Sequence, residues 1–285
     1  MAGSMEGKIC LVTGATSGIG RETALSLAAS GAEVILGGRD ERRAVTTRDW
    51  IISQTGNRRI SYVLADFSDL TQVRNMAREI HDRCSRLDVL VNNAGAFFPK
   101  RVETEYGVEK TFLINHLAPF LLTNSLLDLL ARSAPSRIVN VSSDAYRYGS
   151  IHVADLQMRR GYFSMKAYAR SKLANILFTF ELARRLDRDV TTANALQPGH
   201  VATDIWKTNF PVIGTLLKWV MNHVAISPEE GAQTTIYLAS ASELENVSGG
   251  YYVGSQPVET NAMSQDPQIA RELWDVSENI IRGVQ

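Results

Sequence analysis

Residues 9–20 read Ile9-Cys10-Leu11-Val12-Thr13-Gly14-Ala15-Thr16-Ser17-Gly18-Ile19-Gly20, a short apolar run that breaks into a glycine-rich turn. The run has the length and apolar character of a strand buried in a parallel sheet. After the turn, Ala24, Leu27 and Ala28 recur at helical spacing, and Gly31 is placed as a helix stop. Strand, glycine turn and helix in this order let backbone approach a pyrophosphate, with the free N–H groups and dipole of a helix N-terminus facing it. The spacing is Gly-x-x-x-Gly-x-Gly, not the Gly-x-Gly-x-x-Gly of other nucleotide-binding strand–helix units. Two readings stand at this point. One is a dinucleotide site built on Gly14, Thr16, Ser17, Gly18, Ile19 and Gly20; the other is a tight turn that binds nothing.

Further along the chain, β-branched or apolar runs alternate with longer helical patterns, the mark of a parallel sheet covered on both faces. Strands are expected at Ile9–Thr13, Glu33–Leu36, Ser61–Leu64, Val89–Asn92, Arg137–Val141, Thr192–Leu196 and Gly250–Val253. The fold expected is α/β, a doubly wound parallel sheet of about seven strands with helices on both faces. No repeat or proline-rich linker divides the chain, so residues 5–285 read as one domain. Two excursions break the alternation, near 144–167 and 202–227, each long enough to carry function.

Composition narrows the class. Apolar residues make up 45% and charged residues 21% of the 285, enough for a sizeable core. Thirty basic against thirty acidic residues leave no nucleic-acid footprint. The five histidines are scattered without metal-ligand spacing, so no metal is expected. Cys10 and Cys84 cannot form a disulfide framework, and with no signal peptide expected ahead of the first strand the reading is a reduced, cytoplasmic protein. No apolar run approaches the ~20 residues of a membrane-spanning helix. Val212–Val224, interrupted by Lys218, Asn222 and His223, is apolar enough for a lid or for peripheral membrane contact.

The second strand ends Gly37-Gly38-Arg39-Asp40. Gly38 stands where a carboxylate would hold a ribose 2′-hydroxyl, and the Arg39 guanidinium suits a 2′-phosphate. This favours NADP over NAD, with Asp40 free to cap the next helix. Asp66 follows the third strand, placed either to touch an adenine amino group with Phe67 beside the ring, or to cap a helix. Asn92-Asn93-Ala94-Gly95 ends the fourth strand, where ligands approach an open sheet, or serves only as a polar turn.

Chemistry concentrates in Ser143, Tyr168, Lys172 and Asn115. Tyr168 and Lys172, four apart in Tyr168-Ala169-Arg170-Ser171-Lys172, share one face of a helix. A free phenol titrates near ~10, and an ammonium about 4 Å away could draw it down by up to about three units at an effective dielectric of 20. A serine hydroxyl would hold a substrate oxygen as charge develops there. Ser142 and Ser143 face opposite ways in a strand, so one of the two points at the cleft. Asn115 is expected to anchor a water between Lys172 and solvent, or else to cap a helix. Aromatic residues Phe97, Phe98, Tyr146, Tyr148, Tyr162, Phe163, Trp206, Phe210 and Trp219 lie in or near the irregular segments, as the wall of a lipophilic pocket or as core packing.

From about Gly7 to Val253 the chain resembles the short-chain dehydrogenase/reductase superfamily. It carries in order the family's Thr-Gly-x-x-x-Gly-x-Gly, Asn-Asn-Ala-Gly, helix asparagine, serine, Tyr-x-x-x-Lys and Pro-Gly. Within the superfamily it is similar to the retinol dehydrogenase-like branch, which includes the WW-domain-containing oxidoreductase. The segments that carry this are Asn115-His116-Leu117-Ala118-Pro119-Phe120, Ile138–Ser143, Tyr168–Asn175 and Ser227–Thr234. The resemblance implies a Rossmann-type domain that exchanges hydride between a nicotinamide cofactor and a small-molecule carbonyl or alcohol. It selects Ser143 as the acting serine and implies Asn115 as the fourth catalytic residue. It places Asn92 at the adenine ribose, with Ala94 and Gly95 along the cofactor. Pro198 and Gly199 precede Val201 and Thr203, which would hold the nicotinamide carboxamide. It also implies a homodimer or homotetramer. A dinucleotide-sensing or scaffold protein on the same fold is the alternative, and the joint presence of Ser143, Tyr168 and Lys172 argues against it.

Overall fold

The computed structural model describes residues 4–199 and 226–283. Strands β1 (Ile9–Thr13), β2 (Glu33–Gly38), β3 (Ile60–Leu64), β4 (Val89–Asn92), β5 (Ser136–Val141), β6 (Thr191–Gln197) and β7 (Tyr251–Val253) fall where the alternation predicts them. An eighth, β8 (Gln256–Pro257), pairs antiparallel with β7. The expected count of about seven becomes eight, because a two-residue hairpin partner carries no periodicity to be read. The order is β3-β2-β1-β4-β5-β6-β7-β8, parallel through β7. Chain order reverses between β1 and β4, and a crevice opens at the carboxyl ends of strands at such a point.

Helices α1 (Gly18–Ala29), α2 (Glu41–Thr55) and α6 (Pro228–Ser240) cover one face. Helices α3 (Leu70–Arg83), α4 (Lys110–Arg132), α5 (Ser164–Arg185) and α7 (Pro267–Arg282) cover the other. Each face has its own apolar cluster, with Val12, Leu27 and Leu36 on the first and Leu11, Phe120 and Leu173 on the second. Adjacent β1 residues thus serve opposite faces, as the two-residue pleat requires. Cys10 and Cys84 are free and buried.

Helix α4 bears on the membrane expectation. It is long and apolar enough, by length and composition, to cross a membrane, although no continuous apolar run shows it. Most of its surface is spent inside the fold, against the sheet and its neighbour helices. The helix also contains a π-turn at Leu113–Leu117, with Asn115 at its centre. The excursion near 144–167 consists of two 3-10 turns, Asp144–Tyr148 and Val153–Asp155, and irregular chain leading into α5. The second excursion lies mostly outside the described residues.

The C-terminal α7 packs on α5, with Trp274 against Phe120 at 4.8 Å and Phe178 at 5.8 Å between ring centroids. The Arg185 guanidinium lies 4.2 Å from the Trp274 ring centre. Replacing Trp274 by alanine is expected to lower unfolding free energy by about 3–5 kcal/mol, measured by denaturant unfolding.

Candidate active site

Strand β5 runs out at Val141, and the two serines after it diverge. Ser142 is buried and its hydroxyl donates to the Lys172 carbonyl at 2.8 Å, which leaves it no part in the cleft. Ser143 turns the other way. Its Oγ donates to Asp144 Oδ1 at 3.2 Å, accepts from the Ala145 N–H at 3.3 Å and is a hydrogen-bond partner of the Tyr168 phenol. Tyr168 and Lys172 lie in the first turns of α5, and the Lys172 ammonium stands 5.6 Å from the Tyr168 ring centre. Phe97 meets the Tyr168 ring edge-on at 6.0 Å.

Lys172 is buried, and its Nζ donates to the Val141 carbonyl at 3.0 Å. A methyl placed on Gly95 would lie 3.5 Å from Asn115 Oδ1 and 3.6 Å from Lys172 Nζ, so all three groups converge. Asn115 is no helix cap. Its amide donates to the Ala96 carbonyl and the Ser171 hydroxyl, each at 2.9 Å, and Oδ1 accepts from the Ala96 N–H at 2.7 Å. Both amide hydrogens are therefore used in holding the loop after β4 against α5. A water at this position would have to be held by something other than the Asn115 amide hydrogens.

The electrostatics reverse the expected balance. Burial pushes the Tyr168 phenol up to about 12; the Ser143 hydrogen bond pulls against that, and the nearby Asp144 charge adds to it. Burial pushes Lys172 down to about 8. Desolvation disfavours the charged form of each group, and here it outweighs the attraction expected between them. Tyr168 thus carries its proton at neutral pH, ready to donate it.

At the switch point, the Thr13 hydroxyl joins the ends of β1 and β4. It donates to the Val91 carbonyl at 3.2 Å and accepts from the Asn93 and Ala94 N–H groups at 3.0 Å. The Asn93 amide returns the contact, donating to the Thr13 carbonyl at 2.9 Å. Gly14 and Gly18 both have positive φ, and a methyl on Gly20 would fall 2.4 Å from both Asn93 Nδ2 and the Gly14 oxygen. Ser17, the first cap of α1, makes no side-chain capping bond, and the first turn holds no acid. The turn therefore offers uncapped helix N–H groups beside close, side-chain-free backbone, and these features fit a diphosphate. Ile19 packs with Ala232 and Ile236, anchoring α1 to α6.

Several expected cofactor residues are placed differently. The Asn92 amide, expected at the adenine ribose, donates instead to Thr123 at 2.9 Å and Asn140 at 2.8 Å inside the core. It belongs to a buried polar ladder that continues from Asn140 to Thr179 on α5. Phe67 is buried and packs in the larger core cluster. Asp66 accepts from the N–H and hydroxyl of Ser68, both at 2.8 Å, while Asp69 is the cap of α3. Asp40 caps α2, accepting from the Arg43 N–H at 3.0 Å. Arg39 is exposed at the end of β2, and a methyl on Gly38 would already sit 3.0 Å from the Thr16 methyl. Pro198 and Gly199 follow β6, with Gly199 at positive φ. Val201 and Thr203 lie outside the described residues, as do Trp206, Phe210 and Trp219. Of the aromatic wall, Tyr146 is fully buried against Tyr251 in the core, Tyr162 bonds the Phe98 carbonyl, and Tyr148 and Phe163 are exposed.

Residues missed in the sequence now have places. Asp144 touches Ser143 and raises the Tyr168 phenol, and its adjacency to the serine was the available signal. Ser171 orients Asn115 from within the Tyr-x-x-x-Lys segment. Arg43 reaches the Thr16 carbonyl at 3.5 Å, bringing a guanidinium to the glycine turn from four residues beyond Arg39.

A hydroxyl, a protonated phenol and a buried ammonium grouped beside a dinucleotide-type turn define a class of pyridine-nucleotide oxidoreductase. The short chain dehydrogenase family pattern matches residues 8–212, and the chain belongs to that family. It is 44% identical over 299 residues to retinol dehydrogenase 14 of Homo sapiens, covering 98% of this chain and 88% of that one. Polyprenol dehydrogenase of Mus musculus is 39% identical over 274 residues, with 94% and 82% covered. Among solved structures, an uncharacterised protein from Mycobacterium paratuberculosis superposes with TM-score 0.80 at 33% identity, covering 99% and 96%. An Escherichia coli short chain dehydrogenase complexed with NADPH superposes with TM-score 0.70 at 26% identity, covering 89% and 98%. Within the family the chain falls in the retinol dehydrogenase-like branch, as an NAD(P)-dependent oxidoreductase of CH–OH and C=O groups.

The buried lysine has a measurable signature. Its folded value lies below its unfolded one, so between the two the unfolded chain binds more protons and stability rises with pH. Relative to Lys172→Met, the wild type is expected to gain unfolding free energy from pH 8 to pH 10, by up to ~3 kcal/mol. Tyr168, shifted upward, works the other way only above its unfolded value near ~10, outside that window. Urea unfolding at stepped pH measures the difference, and parallel curves would contradict it.

Proposed function

We propose that the protein is an NADP(H)-dependent oxidoreductase that interconverts a lipophilic aldehyde or ketone with its alcohol, with Tyr168 as acid and base. The observation that carries this is the hydrogen-bonded Ser143–Tyr168 pair set beside buried Lys172 at the carboxyl edge of the sheet. When bound, the nicotinamide supplies or accepts the hydride. Tyr168 Oη gives its proton to the substrate oxygen in reduction and takes it back in oxidation. Ser143 Oγ, presented at the same spot, holds that oxygen as charge builds on it. Lys172 favours the phenolate when the proton leaves, and Asn115 keeps the loop around Ala96 closed against α5. Gly14, Thr16, Ser17, Gly18, Ile19 and Gly20 would hold the cofactor diphosphate, with Ala94 and Gly95 alongside.

The preference for NADP is supported by Gly38 in place of an acid, by exposed Arg39 and by Arg43 beside the turn. The NADPH complex of the Escherichia coli neighbour points the same way. The lipophilic substrate is supported by Phe97 on the Tyr168 ring and by exposed Tyr148 and Phe163 nearby in sequence. The named substrates of two relatives, retinol and polyprenol, are both lipophilic alcohols. Free, buried thiols suit the reducing cytoplasm.

The test follows reduced-nicotinamide absorbance with NADPH or NADH across aldehydes, ketones, retinoids and steroids. Turnover is expected to prefer NADPH and to fall about 10²–10⁴-fold in Tyr168→Phe. Ser143→Ala is expected to lose about 10²–10³-fold. In Arg39→Ala/Arg43→Ala the NADPH preference should shrink while NADH turnover stays. Equal rates in Tyr168→Phe would end the reading, and a native preference for NADH would end its cofactor half.

A further inference from the structure

Helix α5 carries Tyr168 just beyond its first turn, yet that turn lacks a fastening of its own. Phe163 stands at the N-cap with no side-chain capping bond, and the first turn holds no acid. Phe163, Met165 and Lys166 are exposed. An exposed helix start without a cap leaves its N–H groups to water and frays. Tyr168 is buried, so its place depends on whatever grips the helix from there on.

The segment after Ser143 supplies that grip. Ser143 caps the 3-10 turn Asp144–Tyr148, and the Gly149 N–H donates to the Tyr146 carbonyl at 2.9 Å to close it. Gly149 then lies flat on the backbone that follows Tyr168. A methyl on it would fall 2.6 Å from the Ala169 oxygen and 3.1 Å from the Arg170 nitrogen. Its φ of −81° and ψ of 155° are open to any residue, so space, not conformation, demands glycine. Arg170 stands about 200° round the helix from Tyr168 and reaches the same segment from a different face. It is buried, with Nε donating to the Ser150 carbonyl at 3.0 Å and Nη1 to the Asp155 carbonyl. A charged, rigid fork pins two carbonyls more firmly than a neutral side chain can. Gln157 is held separately, its carbonyl accepting from Arg101 at 3.1 Å and its side chain from the Glu109 N–H at 2.7 Å. Loss of Arg170 would therefore release the segment from α5 while its far end stays anchored.

We propose that Gly149 and Arg170 are positioning residues for Tyr168, clamping the segment that begins at Ser143 onto the start of α5 in place of the cap the helix lacks. The proposal rests on Tyr168 belonging to the active site, and its first readout needs no turnover.

Full-length wild type, Gly149→Ala, Arg170→Met, Arg170→Lys and Phe163→Asp/Arg170→Met are compared by amide hydrogen exchange, NADPH binding and kinetics with NADPH and retinaldehyde. In Arg170→Met, exchange is expected to rise several-fold at residues 145–156 and 164–172. There kcat should fall about 10-fold or more, with the NADPH dissociation constant within about threefold. Gly149→Ala removes no hydrogen-bonding group and should give the same pattern, by pushing the segment off the helix. Arg170→Lys keeps the charge but not the fork, and should fall between. Phe163 has the extended backbone of a cap, so aspartate there should return exchange at 164–168 to within about threefold of wild type and leave 145–156 fast. A rise confined to 145–156, with 164–172 and kcat unchanged, would overturn the proposal and leave Arg170 as a loop staple. A rise spread equally over the sheet strands would overturn it as general destabilisation. Gly149→Ala and Arg170→Lys decide the matter if Arg170→Met does not fold. The exchange result stands whether or not retinaldehyde is turned over, so failure of the substrate reading is seen separately.

Discussion

The Lys172 ammonium sits where β5 ends, where α5 begins its buried course and where the π-turn of α4 comes closest. An ammonium in such a place is expensive to desolvate, and the carbonyl of Val141 is the bond that the fold supplies to offset part of that cost. The local architecture follows from this constraint. Ser142 spends its hydroxyl on the Lys172 backbone and so fixes the distance between β5 and α5. Asn115 locks the Ala96 backbone from one side, and Gly95 leaves room for the ammonium on the other. A methyl at Gly95 would be in ordinary contact with both polar groups.

Tyr168 and Lys172 are shifted in opposite senses by one cause. The same burial that keeps the phenol protonated weakens the lysine's hold on its own proton. Reduction of a C=O group needs a loaded acid, and the Tyr168 phenol is one. The reverse reaction needs the phenolate, so the direction of proton flow depends on positive charge being present when the substrate alcohol arrives. Ser143 moderates the pair, while Asp144 opposes the phenolate from the next residue. Burial and two side chains, Ser143 and Asp144, therefore set the proton affinity of Tyr168, and both side chains stand at the start of the excursion that leads to it.

A second constraint lies at the reversal of strand order. Thr13 and Asn93 cross-link the ends of β1 and β4, so the glycine turn and the Asn-Asn-Ala-Gly segment form one rigid unit. Gly20 has no room for a side chain because that cross-link passes over it. Beneath it, Asn92, Thr123, Asn140 and Thr179 form a polar ladder from α4 through the sheet to α5. An all-apolar packing would not dictate which helix faces which strand so narrowly; a ladder of paired amides and hydroxyls does.

The order of strands and helices, the glycine turn, the carboxyl-edge position of the site and the pairing of Tyr168 with Lys172 were all legible in the sequence. They depend on short-range rules: two-residue and helical periodicities, and a four-residue step along a helix. The sense of the proton affinities was not legible, because burial is summed over every neighbouring element and no local window contains it. Nor was the inward turn of Asn92, whose partners lie 31 and 48 residues away. The choice between Ser142 and Ser143 rested on family likeness until the pleat of β5 was seen against α5. The sequence alone determined which groups are available and in what order they arrive. Tertiary structure decided which of them are desolvated, which are already spent on backbone, and which remain to act, since each of those depends on contacts between segments far apart in the chain.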